Sequence, residues 1–181
     1  MSGHNKWSKI KHKKAASDAV KSKTFSKHAS LIAMESRKAK GDVGAPGLIA
    51  AIERAKKDSM PKENIDRAVS KGAGADGALL TEVLYETYGP GGTAILVTAV
   101  TDNPNRTTPE IKHTLSKSGY QLGGSGSSLW AFTKTAEGYV PNTPMALSEE
   151  DGEKLANLIE ALEAHDDVQD IFTTADDPSG E

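Results

Sequence analysis

The sequence predicts an α+β protein in which a basic N-terminal helical domain is followed by a two-layer, ferredoxin-like α+β domain. Three observations carry this. Apolar residues recur at helical spacing between about Ser17 and Gly72. Beyond Gly77 the period falls to two, with Thr81, Val83 and Tyr85 alternating with Glu82, Leu84 and Glu86. The charge changes sign nearby: residues 1–72 hold 17 Lys and Arg against 7 acids, residues 73–181 hold 5 against 18, and the whole chain is only −3.

Taken in order, residues Ser17 to Lys40 contain helix formers without proline or glycine, with Leu31, Ile32 and Met34 as a short apolar stripe. Gly41 to Gly47 reads as a loop. Leu48, Ile49, Ile52 and Ala55 then mark a second helix ending near Asp58. "SMPKENIDRAVSKG" gives a third, with Ser59 as its cap, Pro61 in its first turn, Ile65, Ala68 and Val69 inward, and Gly72 as its stop. "GAGADG", Gly72 to Gly77, matches a dinucleotide-binding glycine pattern letter for letter. Its context is reversed, because a helix precedes it and a strand follows, so it reads as an interdomain linker.

In the second domain the alternation at 81–86 describes a strand with one wet face, and "YGPGG" makes a turn. The nearly all-apolar "TAILVTAV" suits a strand covered on both faces. A helix is expected from Thr107 to Ser118, stopping at Gly119, with Thr107 or Thr108 as cap and Pro109 in the first turn. "GGSGSS" lacks the lysine of a phosphate loop and reads as mobile. "SSLWAFT" is a third strand and "EGYVPNT" a short edge segment. Ser148, with Asp151 three residues on, opens a helix whose apolar stripe is Leu155, Leu158, Ile159 and Leu162, and Val168–Thr173 closes the domain as a strand. The expected boundaries are 1–78, 79–174 and a flexible acidic tail at 175–181.

The chain has no cysteine, which excludes disulfides, thiolate metal sites and a cysteine nucleophile and fits a cytoplasmic protein. No apolar run approaches the ~18 residues a bilayer span needs, so no membrane partner is expected. The five histidines, at 4, 12, 28, 113 and 165, include no i, i+4 pair, so neither metal nor cofactor is expected. Asp102 with His113 is the nearest thing to a base and its orienting carboxylate. No nucleophile is marked beside them, so the chain reads as a non-enzyme without a small-molecule substrate.

The basic segment Gly3–His28 holds eight lysines against one acid, Asp18. Lysines neutralise phosphates by displacing condensed counterions, and an indole among them can stack on an unpaired base. The candidate nucleic-acid-binding residues are therefore His4, Lys6, Trp7, Lys9, Lys11, His12, Lys13, Lys14, Lys21, Lys23 and Lys27. Arg106, in "TDNPNRT" at a helix N-terminus, is a further candidate phosphate ligand. The acidic half would face outward or toward a protein partner.

"GHNKWSKIKHKKAASDAVKSKTFSK", "MPKENIDRA", "YETYGPGG", "TDNPNRT" and "SKSGYQLGGSGSSLWAF", in this order, resemble the YebC/PmpR family, which includes a mitochondrial translational activator of cytochrome oxidase. The resemblance implies a non-enzymatic regulator of gene expression. Family members are described both as DNA-binding transcriptional regulators and as ribosome-associated factors that help proline-rich stretches through translation. The family's basic motif falls on Gly3, His4, Lys6, Trp7, Ile10, Lys11, His12 and Lys14, and its loop motif on Thr101, Asp102, Asn103, Asn105, Arg106 and Thr107. Relatives insert another α+β domain where "TKTAEGYVPNT" runs straight on. This chain therefore resembles a short form, closed by a hairpin at Thr135–Gly138. An RNA- or ribosome-binding translation factor is the favoured expectation, a duplex-DNA-binding transcription regulator the alternative, and a phosphoryl-handling enzyme around Asp102, Arg106 and His113 the third.

Overall fold

The computed structural model describes residues 18–74 and 79–176. The chain divides into two compact units, one helical and one α+β.

The helical unit contains α1 (Asp18–Lys38), α2 (Pro46–Lys57) and α3 (Lys62–Ala73). Its core joins Ile32 of α1 to Leu48, Ala51 and Ala55 of α2 and to Met60, Ile65 and Ala68 around α3. His28, buried on α1, meets Asp58 at 2.6 Å and so ties α1 to the end of α2. Two details differ from the sequence reading. Ser59 does not cap α3: it takes a left-handed conformation (φ 62°) in the closure of α2, where Met60 N–H donates to Ala55 O and Ser59 N–H to Lys56 O. Nor is Gly72 a stop. It lies buried inside α3, where a Cβ would fall on the backbone oxygen of Ala33 and within 2.8 Å of the Ser36 Cβ. The same crossing carries a hydrogen bond from Ser36 Oγ to Val69 O (2.8 Å). Glycine is there because backbone meets backbone between α1 and α3.

The α+β unit contains β1 (Thr81–Tyr88), β2 (Ala94–Thr101), α4 (Pro104–Lys117), β3 (Phe132–Thr135), β4 (Gly138–Pro141), α5 (Glu149–Glu163) and β5 (Val168–Thr173). The main sheet has the order β1-β2-β5, with β2 and β5 antiparallel and an irregularity between Thr98 and Ala99. Strand β2 is covered on both faces, as its apolar run implies. Ile95, Val97 and Ala99 join Ile111 and Leu115 of α4 and Leu155, Leu158 and Leu162 of α5 in one core. Ala94 and Leu96 face the opposite way, toward Ala131, Phe132 and Phe172. The two helices thus make one layer on the sheet. Strands β3 and β4 form a separate antiparallel sheet, with Thr135 paired to Gly138. The α5 cap forms as expected, Ser148 Oγ accepting from Asp151 N–H (3.1 Å). Helix α4 begins a turn earlier than the sequence suggests, at Pro104, so Pro109 lies within it and Thr107 is not a cap. It ends on Gly119 (φ 86°), with Tyr120 N–H donating to Leu115 O (2.9 Å). Past β5, Ala175 bridges to Met145 and Asp176 N–H donates to Met145 O, so pairing extends into the first two residues read as tail.

The alternation in β1 is real and Glu82 is exposed, but the rest of the face read as wet is covered. Leu84 packs in the second core and Glu86 is buried. The Glu86 carboxylate accepts backbone N–H groups from Gly126 (2.6 Å), Ser128 (2.8 Å) and Leu129 (2.7 Å), and its own carbonyl accepts from Gly123 N–H (2.7 Å). The loop read as mobile is therefore tied down. Tyr88 and Trp130 fix its far side: Tyr88 OH donates to Ser127 O (2.7 Å), and Trp130 Nε1–H lies 3.0 Å from both Tyr88 OH and Ser127 O. This anchoring turns residues Leu129–Ala131 into a short 3-10 segment where a strand was expected, and β3 starts only at Phe132.

Burial opposes the Glu86 charge, but the backbone donors outweigh it and hold the carboxyl below its ordinary value of 4.5. A carboxylate depressed in the folded state stabilises above its unfolded pKa and loses that contribution as pH falls from about 4.5 through the lower folded value. Acid titration of wild type and Glu86→Gln, followed by urea denaturation, should show the variant destabilised by about 1–3 kcal/mol at neutral pH, because an amide NH₂ would face N–H donors. The difference should shrink below pH 4.5. For Gly72→Ala, overpacking between α1 and α3 should lower stability by about 1–3 kcal/mol in thermal or urea melts.

Candidate nucleic-acid interface

Of the residues the sequence nominates, His4, Lys6, Trp7, Lys9, Lys11, His12, Lys13 and Lys14 lie outside the described residues. Lys21, Lys23 and Lys27 stand on α1. Lys23 and Lys27 are one turn apart on one side of the helix and half-buried, whereas exposed Lys21 is rotated away from them. Between them Thr24 Oγ1 donates back to Val20 O (3.0 Å), an ordinary helical arrangement. Further cations follow in the same unit: Arg37 and Lys38 in the last turn of α1, and Arg54, Lys56 and Lys57 in the last turn of α2. At these C-terminal ends the positive side chains are favoured by the helix dipole, so local structure and a positive surface are compatible.

Arg106 belongs to the α+β unit, in the first turn of α4. There the structure adds residues that sequence reasoning missed. Asp167, just ahead of β5, places one carboxylate oxygen 2.8 Å from Arg106 Nη2 and 2.7 Å from Thr107 Oγ1. Arg106 Nε also lies 4.0 Å from Glu110. Thr107 is fully buried, which explains why its hydroxyl serves this contact and not the helix cap. Asp167 N–H donates to His165 Nδ1 (3.1 Å), leaving His165 Nε2 facing Glu110 Oε2 at 2.8 Å. A carboxylate beside the start of a helix is the charge that the dipole favours. The anion held by Arg106 here is thus the chain's own Asp167, and an incoming phosphate would compete with it.

Arg106, Glu110, His165 and Asp167 line a cleft of about 750 Å³ together with His113, Thr114 and Asp166. His113 and Arg106 share this cleft, while Asp102 is not among its lining residues. In this cleft the histidine that meets a carboxylate is His165, at 2.8 Å from Glu110. Among the described residues, no group of three histidines, aspartates or glutamates is arranged to hold a metal ion, and no helix is long and apolar enough to cross a membrane.

The geometry can be set against known proteins. A family model described as the TACO1/YebC protein N-terminal domain matches residues 5–75, and one described as the TACO1/YebC second and third domain matches residues 80–138 and 133–175. A "probable transcriptional regulatory protein" of Chloroherpeton thalassium is 36% identical, covering 96% of this chain and 94% of its own length. That alignment runs over 236 positions against the 181 residues of this chain, so the relative contains residues with no counterpart here. Another protein of the same description, from Desulfosudis oleivorans, is 43% identical over 98% of this chain and 73% of its own length. Among solved structures, the conserved hypothetical protein Aq1575 from Aquifex aeolicus superposes with a TM-score of 0.78 at 30% identity, covering 90% of this chain and 93% of that one. The two stretches matched by the second family model overlap at residues 133–138, in the β3–β4 hairpin. With nearly the whole length accounted for by its models, the chain belongs to the TACO1/YebC family.

Proposed function

We propose that this protein is a non-enzymatic, nucleic-acid-binding regulator of gene expression, acting on RNA or the ribosome as a translation factor. The observation that carries the reading is the division of charge: 17 cations against 7 acids in residues 1–72, and 5 against 18 in the remainder. A polyanion attracts the first part and repels the second, so the field of the molecule orients it before contact. The acid-free segment from Gly3 to Ala16 supplies lysines for phosphates and Trp7 for stacking on an unpaired base, a combination suited to folded or single-stranded RNA. His4, Lys6, Lys9, Lys11, His12, Lys13 and Lys14 are the proposed phosphate and base contacts, continued by Lys21, Lys23 and Lys27 on α1. Arg106 joins them only where a phosphate displaces Asp167. Assistance to elongation through proline-rich stretches is the role that the family resemblance adds.

The names of the relatives favour a second reading, a DNA-binding transcriptional regulator. Against it, the lysines of α1 do not form the single stripe by which a recognition helix enters a major groove.

Two measurements separate the readings. In dilute salt the protein should co-sediment with ribosomes and be released as salt rises; retention on duplex DNA with ribosomes excluded would favour the transcriptional reading. Reversing Lys9, Lys11 and Lys14 to Glu should abolish binding while circular dichroism and melting stay unchanged. Milder Lys→Ala replacements at the same three positions should flatten the log–log salt dependence by about 2–3, given roughly 0.7–0.9 per phosphate contact. Wild-type affinity in the Glu variant would remove the N-terminal segment from the mechanism.

A further inference from the structure

In the helical unit, α2 and α3 each pack along α1 but touch one another little. A furrow of about 630 Å³ runs between them. Its apolar lining is Val43, Ile52, Ile65 and Val69. Ile65 is buried, Ile52 and Val69 are half-buried, and Val43 is 63% exposed. Ile49, three residues before Ile52 on α2, is also 41% exposed. Lys56 of α2 and Lys62 of α3 contribute cations to the lining, against the single acid Asp66. The unit therefore leaves aliphatic side chains in water along a seam flanked by positive charge, where one more helix would complete the packing that α1 gives α2 and α3 on their other sides.

We propose that this furrow is the docking site for an amphipathic helix of a partner protein, apolar on one face and acidic along its flanks. Apolar anchors at i, i+3 or i+4, and i+7 would lie between Ile52 and Val69, with carboxylates reaching Lys56 and Lys62. Aliphatic walls offer no ring face for a nucleobase, which separates this surface from a nucleic-acid contact. A second copy of the chain is a poor occupant. Its own acidic helix, α5, already buries Leu155, Leu158, Ile159 and Leu162 in its own unit. The lysine-rich stretch ahead of α1 carries the wrong charge to lie beside Lys56 and Lys62. Of the cations placed on the positive surface above, the furrow uses only Lys56, and it uses none of the proposed phosphate and base contacts.

The test uses the full chain with isotope-labelled isoleucine and valine methyl groups and a designed 18-residue helical peptide. The peptide has leucines at the anchor spacing and glutamates on both flanks; a matched peptide has lysines in their place. The glutamate peptide should shift the methyl signals of Val43, Ile52 and Val69 saturably and leave those of Ile95 and Val97 unmoved. The double variant Lys56→Glu, Lys62→Glu should weaken it roughly tenfold and shift the preference toward the lysine peptide. Both lysines are exposed, and the small loss from an acid at the end of α2 is offset by the gain from an acid at the start of α3, so the variant should melt close to the parent. Four outcomes overturn the proposal: no shift at millimolar glutamate peptide, equal binding of the two peptides, concentration-dependent shifts of these methyls together with dimerisation in sedimentation, or the same shifts produced by a uridine oligonucleotide.

Discussion

The second layer of the α+β unit hangs on one buried carboxylate. Glu86 projects from β1 toward the face opposite α4 and α5 and gathers three backbone N–H groups from the segment 126–129. Without an acceptor there, the buried amide of Ser128 would be left unpaired, at a cost comparable to the hydrogen bond itself. Because the loop must turn its amides inward, Leu129, Ala131 and Phe132 are delivered against Ala94 and Leu96 of β2 and Phe172 of β5. The same turn leaves Trp130 pointing outward, 70% exposed, with its indole N–H already occupied by Tyr88 and Ser127. A charge placed in a core thus fixes a loop, the loop sets the start of β3, and β3 closes the second face of the sheet.

The parts of this architecture that could be read from the sequence are those written in periodicity and local caps. The apolar run of β2, the Ser148–Asp151 cap of α5, the glycine that ends α4 and the strand Val168–Thr173 each depend on residues close in sequence, and each appears where the pattern puts it. The misreadings share the opposite property. Gly72 resembles a helix stop, because nothing local reveals that α1 passes within backbone contact of it. Glu86 resembles the wet half of an alternating strand, because its donors lie about forty residues away. Thr107 resembles a cap, because its real partner, Asp167, is sixty residues distant.

The same reasoning divides the candidate interface. The cationic segment is legible because charge density is a property of sequence alone and needs no partner in the fold to be recognised. Arg106 is different: its type and position suggested a ligand, yet its electrostatic role is set by Asp167 and Glu110, which arrive from other turns and elements. Asp167 also reaches Thr107 and, through its amide, His165. A residue in the short connection from α5 to β5 therefore anchors the start of α4, and only the folded chain brings the two together.

The β3–β4 hairpin has an evolutionary reading. Its strands are already paired on either side of a two-residue turn, Thr135 opposite Gly138, so both ends of the connection leave the body at the same place. Such a turn is a doorway: sequence can be spliced in or lost there without moving the residues that pack beneath it, since the cost of a longer surface connection grows only slowly with its length. The two stretches matched by the family's second model overlap at this same turn, so the doorway lies where those two halves of the framework join.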